Sequence, residues 1–228
     1  GWNVGISNDS PEQKKEAAAM ITPEMIDELR VKVKPYLTDA RYAHTLSVET
    51  EAAALGAIYL PERVVELRAA ALLHDITKKL TYEKQLNLIA EFGIINNNIE
   101  DIALEAIHAV KAPIIIKRDF PEFATSDILS AVRYHTTGYA GMTKFDAIIY
   151  IADFIEPTRD EDICMQMRRS FYKKLESAGD EKERVVILKE TILSVLRSTL
   201  AYLTSKKVRI ERDTEAAVSY FSRGGDFT

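Results

Sequence analysis

Six side chains of this sequence have the types and spacing of a metal site: His44, His74, Asp75, His108, His135 and Asp153. They include all four histidines of the chain. Neutral imidazole and carboxylate are the usual ligands of iron, manganese, cobalt, nickel and zinc. Taken singly, each has a plainer explanation. A lone helical histidine is most often structural, and Asp153, between Ile151 and Phe154, reads equally well as a buried hydrogen-bonding aspartate. The joint pattern weighs against that, because no histidine is left over and each lies in apolar helical surroundings. His74 and Asp75 are neighbours, so on a helix their side chains point about 100° apart. Both reach one cluster only near a helix end or across two metals. A carboxylate can bridge two metals and one imidazole nitrogen cannot, which makes Asp75 the bridging candidate.

Five helices would have to aim these ligands at one point, as bundle metal sites do. The sequence reads as helix after helix. Thr22 and Pro23 open one that runs to about Val33 and stops near Pro35. Asp39 is expected to cap the next, and Pro61 to open a third through Leu73. Thr81 opens a fourth that ends at Gly93, and a fifth spans about Ile99 to Ala109. Residues 111–120 contain Pro113 and the β-branched run Ile114-Ile115-Ile116, and are expected to be a loop or an irregular segment. Helices resume near Thr125, Thr143 and Asp160. A long one is expected from Asp180 to Leu203, and a last one starts at Asp213 or Thr214 and ends at Gly224 and Gly225. No period-2 run demands a sheet. The fold class is therefore all-α, a single bundle of about nine helices over residues 21–228, with residues 1–20 read as a flexible N-terminal segment.

Composition narrows the function classes. With 46% hydrophobic and 29% charged residues, the chain is an ordinary globular one. A formal net charge of −5 argues against a general nucleic-acid binder. No apolar run approaches the roughly 18 residues of a membrane helix, and no secretory signal is visible. The single cysteine, Cys164, allows no intrachain disulfide and fits a reducing cytoplasm.

The order His44, His74-Asp75, Asp153 resembles the HD superfamily of metal-dependent phosphohydrolases, and His108 and His135 match the two extra histidines of its binuclear branch. Five stretches resemble more closely the bacterial YqeK-type HD proteins, which are symmetrical diadenosine tetraphosphate hydrolases. They are Arg41-Tyr42-Ala43-His44-Thr45, Ala70-Ala71-Leu72-Leu73-His74-Asp75-Ile76-Thr77-Lys78, Tyr134-His135-Thr136-Thr137-Gly138, Gly141-Met142, and Ile151-Ala152-Asp153-Phe154-Ile155-Glu156-Pro157-Thr158-Arg159. The likeness covers about residues 25 to 220. It departs after His108, which continues Ala109-Val110-Lys111-Ala112-Pro113 instead of the family's His-Gly stretch, and again near Ile210-Glu211-Arg212-Asp213-Thr214.

The resemblance implies an HD-domain bundle that cleaves diadenosine tetraphosphate into two ADP by attack of a metal-activated hydroxide on phosphorus. It implies a divalent metal, iron in preference to manganese, cobalt or nickel, and a binuclear site. Asp75, Lys78 and Arg159 are then the expected catalytic groups. Lys78, His108, His135, Thr136, Asp153, Arg159, Arg209, Arg212 and Thr214 are the expected nucleotide contacts. A homodimer is a family-level expectation, with a small dinucleoside polyphosphate or purine nucleotide as partner. Two alternatives stay open: another HD nucleotide phosphohydrolase or phosphodiesterase, and a nucleotide-binding sensor without turnover.

Overall fold

The computed structural model describes residues 20–80, 84, 87, 107–205 and 212–228. Among them the regular structure is helical, with nine α-helices: α1 Pro23–Val33, α2 Asp39–Tyr59, α3 Val64–Leu73, α4 Ile107–Asp119, α5 Ser126–Tyr134, α6 Lys144–Ile155, α7 Asp162–Glu176, α8 Glu181–Ser205 and α9 Arg212–Ser222. The all-α expectation holds. The expected helix from Thr81 to Gly93 and the start of the one from Ile99 lie outside the described residues.

Helix starts follow local chemistry. The hydroxyls of Thr22, Thr38, Thr125 and Thr143 each accept a main-chain N–H of the first turn of α1, α2, α5 and α6. Thr38, not the expected Asp39, caps α2; Asp39 is its first residue and sets a negative charge at the positive helix end. Pro61 opens a short 3₁₀ turn, Pro61–Arg63, and α3 follows from Val64. Helix α5 stops at a turn where Gly138 takes φ +63° and its N–H donates to Tyr134 O at 2.8 Å. A non-glycine residue there would be strained, and its Cβ would come within 3.0 Å of Leu196.

The expected loop at residues 111–120 is instead most of α4, which runs to Asp119 with Pro113 inside it. Local propensity pointed the other way, since an interior proline costs about 3 kcal/mol or more. Burial outweighs it. Ala112, Ile115 and Ile116 are all within the core, and a fully buried Ile is worth about 1.5–3 kcal/mol.

Two helices form the centre. Residues 145–152 of α6 are all buried, as are Leu67 and residues 69–73 of α3. A helix apolar all round belongs inside. Helix α2 packs on α3 and α6, α5 on α3, α4 and α6, and α8 on α6, α7 and α9.

At the start of α6, Thr143 and Asp146 cap each other. Asp146 N donates to Thr143 Oγ1 and Thr143 N donates to Asp146 Oδ2, both at 3.1 Å. Thr143→Ala is expected to cost about 1 kcal/mol. Thermal melting should then fall by roughly 2–4 °C; an unchanged midpoint would show that the cap contributes nothing.

Candidate metal centre

The six candidate ligands converge from five helices. His44 lies in the second turn of α2 and Asp153 in the last turn of α6. His74 and His135 are the C-cap residues of α3 and α5, Asp75 follows His74, and His108 is the second residue of α4. All four histidines and Asp75 are buried.

Asp75 stands between two sets of imidazoles. Its Oδ2 faces His74 Nε2 at 3.3 Å and His44 Nε2 at 3.8 Å. Its Oδ1 faces His108 Nε2 at 3.3 Å and His135 Nε2 at 3.6 Å. Asp153 Oδ1 adds to the first set, 2.9 Å from His44 Nε2 and 3.6 Å from His74 Nε2.

Hydrogen bonds at the far side of three rings fix their orientation. His74 Nδ1 donates to Ala71 O and His135 Nδ1 to Val132 O, both at 2.6 Å. His44 Nδ1 donates to Glu156 Oε1 at 2.9 Å. With the proton on Nδ1, a neutral ring presents Nε2 as an acceptor. In that neutral form three acceptor nitrogens face acceptor carboxylate oxygens across 2.9–3.8 Å, and a proton or a metal ion must stand between them. Among the described residues His74 Nε2 is buried with no hydrogen-bond partner. Such an arrangement calls for cations between the atoms, and its donors suit a divalent first-row metal. Two groups, His44–His74–Asp153 and His74–Asp75–His135, have ligand atoms within 4.8 Å of one another.

Charge balance points the same way. Burial opposes protonation of His74, but the carboxylates of Asp75 and Asp153 outweigh it and push its pKa to about 10. Burial likewise opposes ionisation of Asp75 and Asp153, yet the imidazoles hold both well below the carboxylate range. His135 is lowered, mainly by burial.

Three groups at the cluster were not singled out from sequence. Arg41 Nη2 donates to Asp75 Oδ2. Thr77 Oγ1 donates to His108 O at 2.5 Å, which ties the turn after α3 to the start of α4. Glu156 is fully buried and accepts from His44 Nδ1 and from Thr158 N at 2.8 Å. Burial opposes its charge, but hydrogen bonds from Ser47, Thr158 and His44 keep its pKa low. Each of the three stands three residues from a candidate ligand, Arg41 from His44, Thr77 from His74 and Glu156 from Asp153. Arg41 and His44 are neighbours within α2 and share a face, a signal that could have found Arg41; Thr77 and Glu156 lie past the ends of α3 and α6, where spacing sets no direction.

The other expected residues are distributed differently. Arg159 reaches the cluster: Nη2 lies 3.1 Å from Asp153 Oδ1, and Nε donates to Asp153 O. Lys78 is exposed on the turn after Asp75 and makes no side-chain contact to the cluster among the described residues. Thr136 is half-buried beside His135. Thr214 Oγ1 donates to Thr137 O at 2.8 Å, so this hydroxyl ties α9 to the turn after α5. Arg212 is exposed at the start of α9, and Arg209 lies outside the described residues.

The family model of the HD domain matches residues 41–158, which contain every candidate ligand. The chain belongs to the HD domain family. It is 31% identical to the symmetrical bis(5'-nucleosyl)-tetraphosphatase of Halalkalibacterium halodurans over 81% of this chain and 90% of that one. The corresponding enzyme of Bacillus subtilis is 28% identical over 84% of this chain and 95% of its own. Among solved structures, a predicted HD superfamily hydrolase involved in NAD metabolism from Clostridium acetobutylicum superposes with a TM-score of 0.71 at 27% identity, covering 87% of this chain and 97% of that one.

The proton on His74 competes with a metal. Because its folded pKa is raised to about 10, metal binding below that pH must displace the proton. Affinity for Mn²⁺ is expected to climb by up to roughly tenfold per pH unit between pH 6 and 9. A pH-independent affinity in calorimetric titration would contradict this. Glu156→Gln keeps an acceptor for His44 and loses the charge; it should weaken Mn²⁺ binding about tenfold.

Proposed function

We propose that this HD protein hydrolyses dinucleoside tetraphosphates symmetrically, converting diadenosine tetraphosphate and water into two ADP. The observation that carries the reading is Asp75, whose two oxygens face separate imidazole sets in a chain similar along most of its length to symmetrical bis(5'-nucleosyl)-tetraphosphatases.

In this reading His44, His74 and Asp153 would hold one divalent ion and His108 and His135 a second, with Asp75 as the shared ligand. Iron is the proposed metal. Bound there, the ions would supply Lewis-acid activation of a phosphoryl oxygen and of water at neutral pH. Water oxygen bonds to one of the two inner phosphorus atoms, and the bond from that phosphorus to the central bridging oxygen breaks. Each half leaves as a nucleoside diphosphate.

The chain's own residues bind and orient the anion. Arg159 commits Nε and Nη2 to Asp153, and among the described residues its Nη1 has a single contact, to Glu161 at 3.9 Å. That nitrogen is available to a phosphoryl oxygen. Arg41 also lies at the cluster, and its Nε is buried with no hydrogen-bond partner. Guanidinium groups suit phosphate because their planar donors match its oxygens. Lys78 at the mouth adds a mobile charge. Thr136, Arg209, Arg212 and Thr214 are assigned to the nucleoside side, where binding of substrate would have to release the Thr214 hydroxyl from Thr137 O.

Product analysis tests the reading. Diadenosine tetraphosphate should yield ADP alone; AMP with ATP would overturn it. Asp75→Asn removes one charge that both ions share, which is worth several kcal/mol, and should lower kcat roughly 10³-fold. Arg159→Ala should raise KM and lower kcat, together costing about 10²-fold in kcat/KM. Elemental analysis of the purified protein should find iron.

A further inference from the structure

The C-terminal end of α6 has an accounting problem. A helix leaves its last carbonyls without intrahelical donors, and here Pro157 has no N–H to offer. Ala152 O accepts from Glu156 N at 3.0 Å. Asp153 O accepts from Arg159 Nε. Glu156 O accepts from Arg159 N at 3.0 Å, and further donors come from another helix. Arg168, in the second turn of α7, donates from Nε to Ile155 O, and from Nη2 to Glu156 O at 2.5 Å and Arg159 O at 3.0 Å. One half-buried guanidinium thus spans both ends of the turn formed by residues 155–159.

What that turn carries gives the clamp its meaning. Glu156 holds His44 Nδ1, and Arg159 lies on Asp153. His44 and Asp153 are two of the three ligands on one side of Asp75. Both contacts come from side chains whose own backbone carbonyls Arg168 grips. We infer that Arg168 is a positioning residue: it fixes the 155–159 turn so that Glu156 stays on His44 and Arg159 stays on Asp153, without itself touching metal or substrate. This rests on the hydrolase reading above for its kinetic consequence, but not for its effect on metal binding.

A planar fork presents Nε and Nη2 to three carbonyls at fixed angles; an ammonium has three donors on a single nitrogen and does not reproduce that spacing. Loss of the clamp lets the turn shift. A displacement of about 1 Å at a catalytic centre costs up to roughly 10²-fold in rate, and loss of a group that orients a ligand costs about 10–100-fold in metal affinity or activity.

The test uses the full chain with Arg168→Met and Arg168→Lys, and Arg169→Met as a control at an exposed neighbour on α7. Arg168→Lys keeps a positive charge at the α6 C-terminus, so it serves if the methionine variant fails to fold. Four quantities are read on folded protein: Mn²⁺ affinity of the metal-free form by calorimetry, kcat and KM on diadenosine tetraphosphate, and the melting midpoint. Both Arg168 variants should bind Mn²⁺ about 10-fold more weakly and lose about 10–100-fold in kcat. Arg169→Met should match wild type. In Arg168→Ala, millimolar guanidinium should restore part of the lost kcat. Wild-type Mn²⁺ affinity in Arg168→Lys overturns the inference, even if its melting midpoint drops. If wild-type protein cleaves no dinucleoside tetraphosphate, the hydrolase reading falls, while the Mn²⁺ affinities still decide the role of Arg168.

Discussion

Asp75 is a carboxylate at 1% exposure, on the short turn after α3. An isolated buried charge is among the most expensive features a fold can carry. Here Arg41 grips one oxygen, and imidazoles from four other positions surround both. The ends of α3, α4 and α5 and a face of α2 must all arrive at that one group. Their arrangement is what a bundle would adopt around a fixed anion that also needs room for cations.

The same local device is used twice to make that arrangement rigid. His74 and His135 each sit at a helix C-cap and donate Nδ1–H to the carbonyl three residues earlier. An imidazole that caps its own helix meets a backbone need and has its tautomer set by the same bond. Its Nε2 is then delivered in a fixed direction. His44 is in mid-helix, where main-chain carbonyls are already used, so it borrows Glu156 from α6. The end of α6 is in turn closed by two guanidinium groups. The bonds that orient the candidate ligands and those that end the helices therefore form one network.

Legibility from sequence divides along the same line. Helix starts at Thr22, Thr125 and Thr143 were readable because a hydroxyl before the first turn acts within three residues. Helix α4 was misread because Pro113 and three consecutive isoleucines argue locally against a helix. Burial of Ala112, Ile115 and Ile116 decides otherwise, and burial depends on partners distant in sequence. Thr214, an expected nucleoside contact, donates to Thr137 O, 77 residues away, a pairing with no local signature.

The sequence by itself determined the donor set. Four histidines with none to spare, an Asp beside one of them and a second Asp after an apolar run carry the chemistry in their types and order. It also determined the all-helical scaffold, since caps, prolines and apolar spacing are local. Only the tertiary structure decided how the donors divide about Asp75, which nitrogen of each ring faces inward, and which neighbours hold them there. The reason is physical. Ligand type is a property of one side chain, but direction is set by hydrogen bonds and packing between α2, α3, α5, α6 and α7, which exist only once those helices have met.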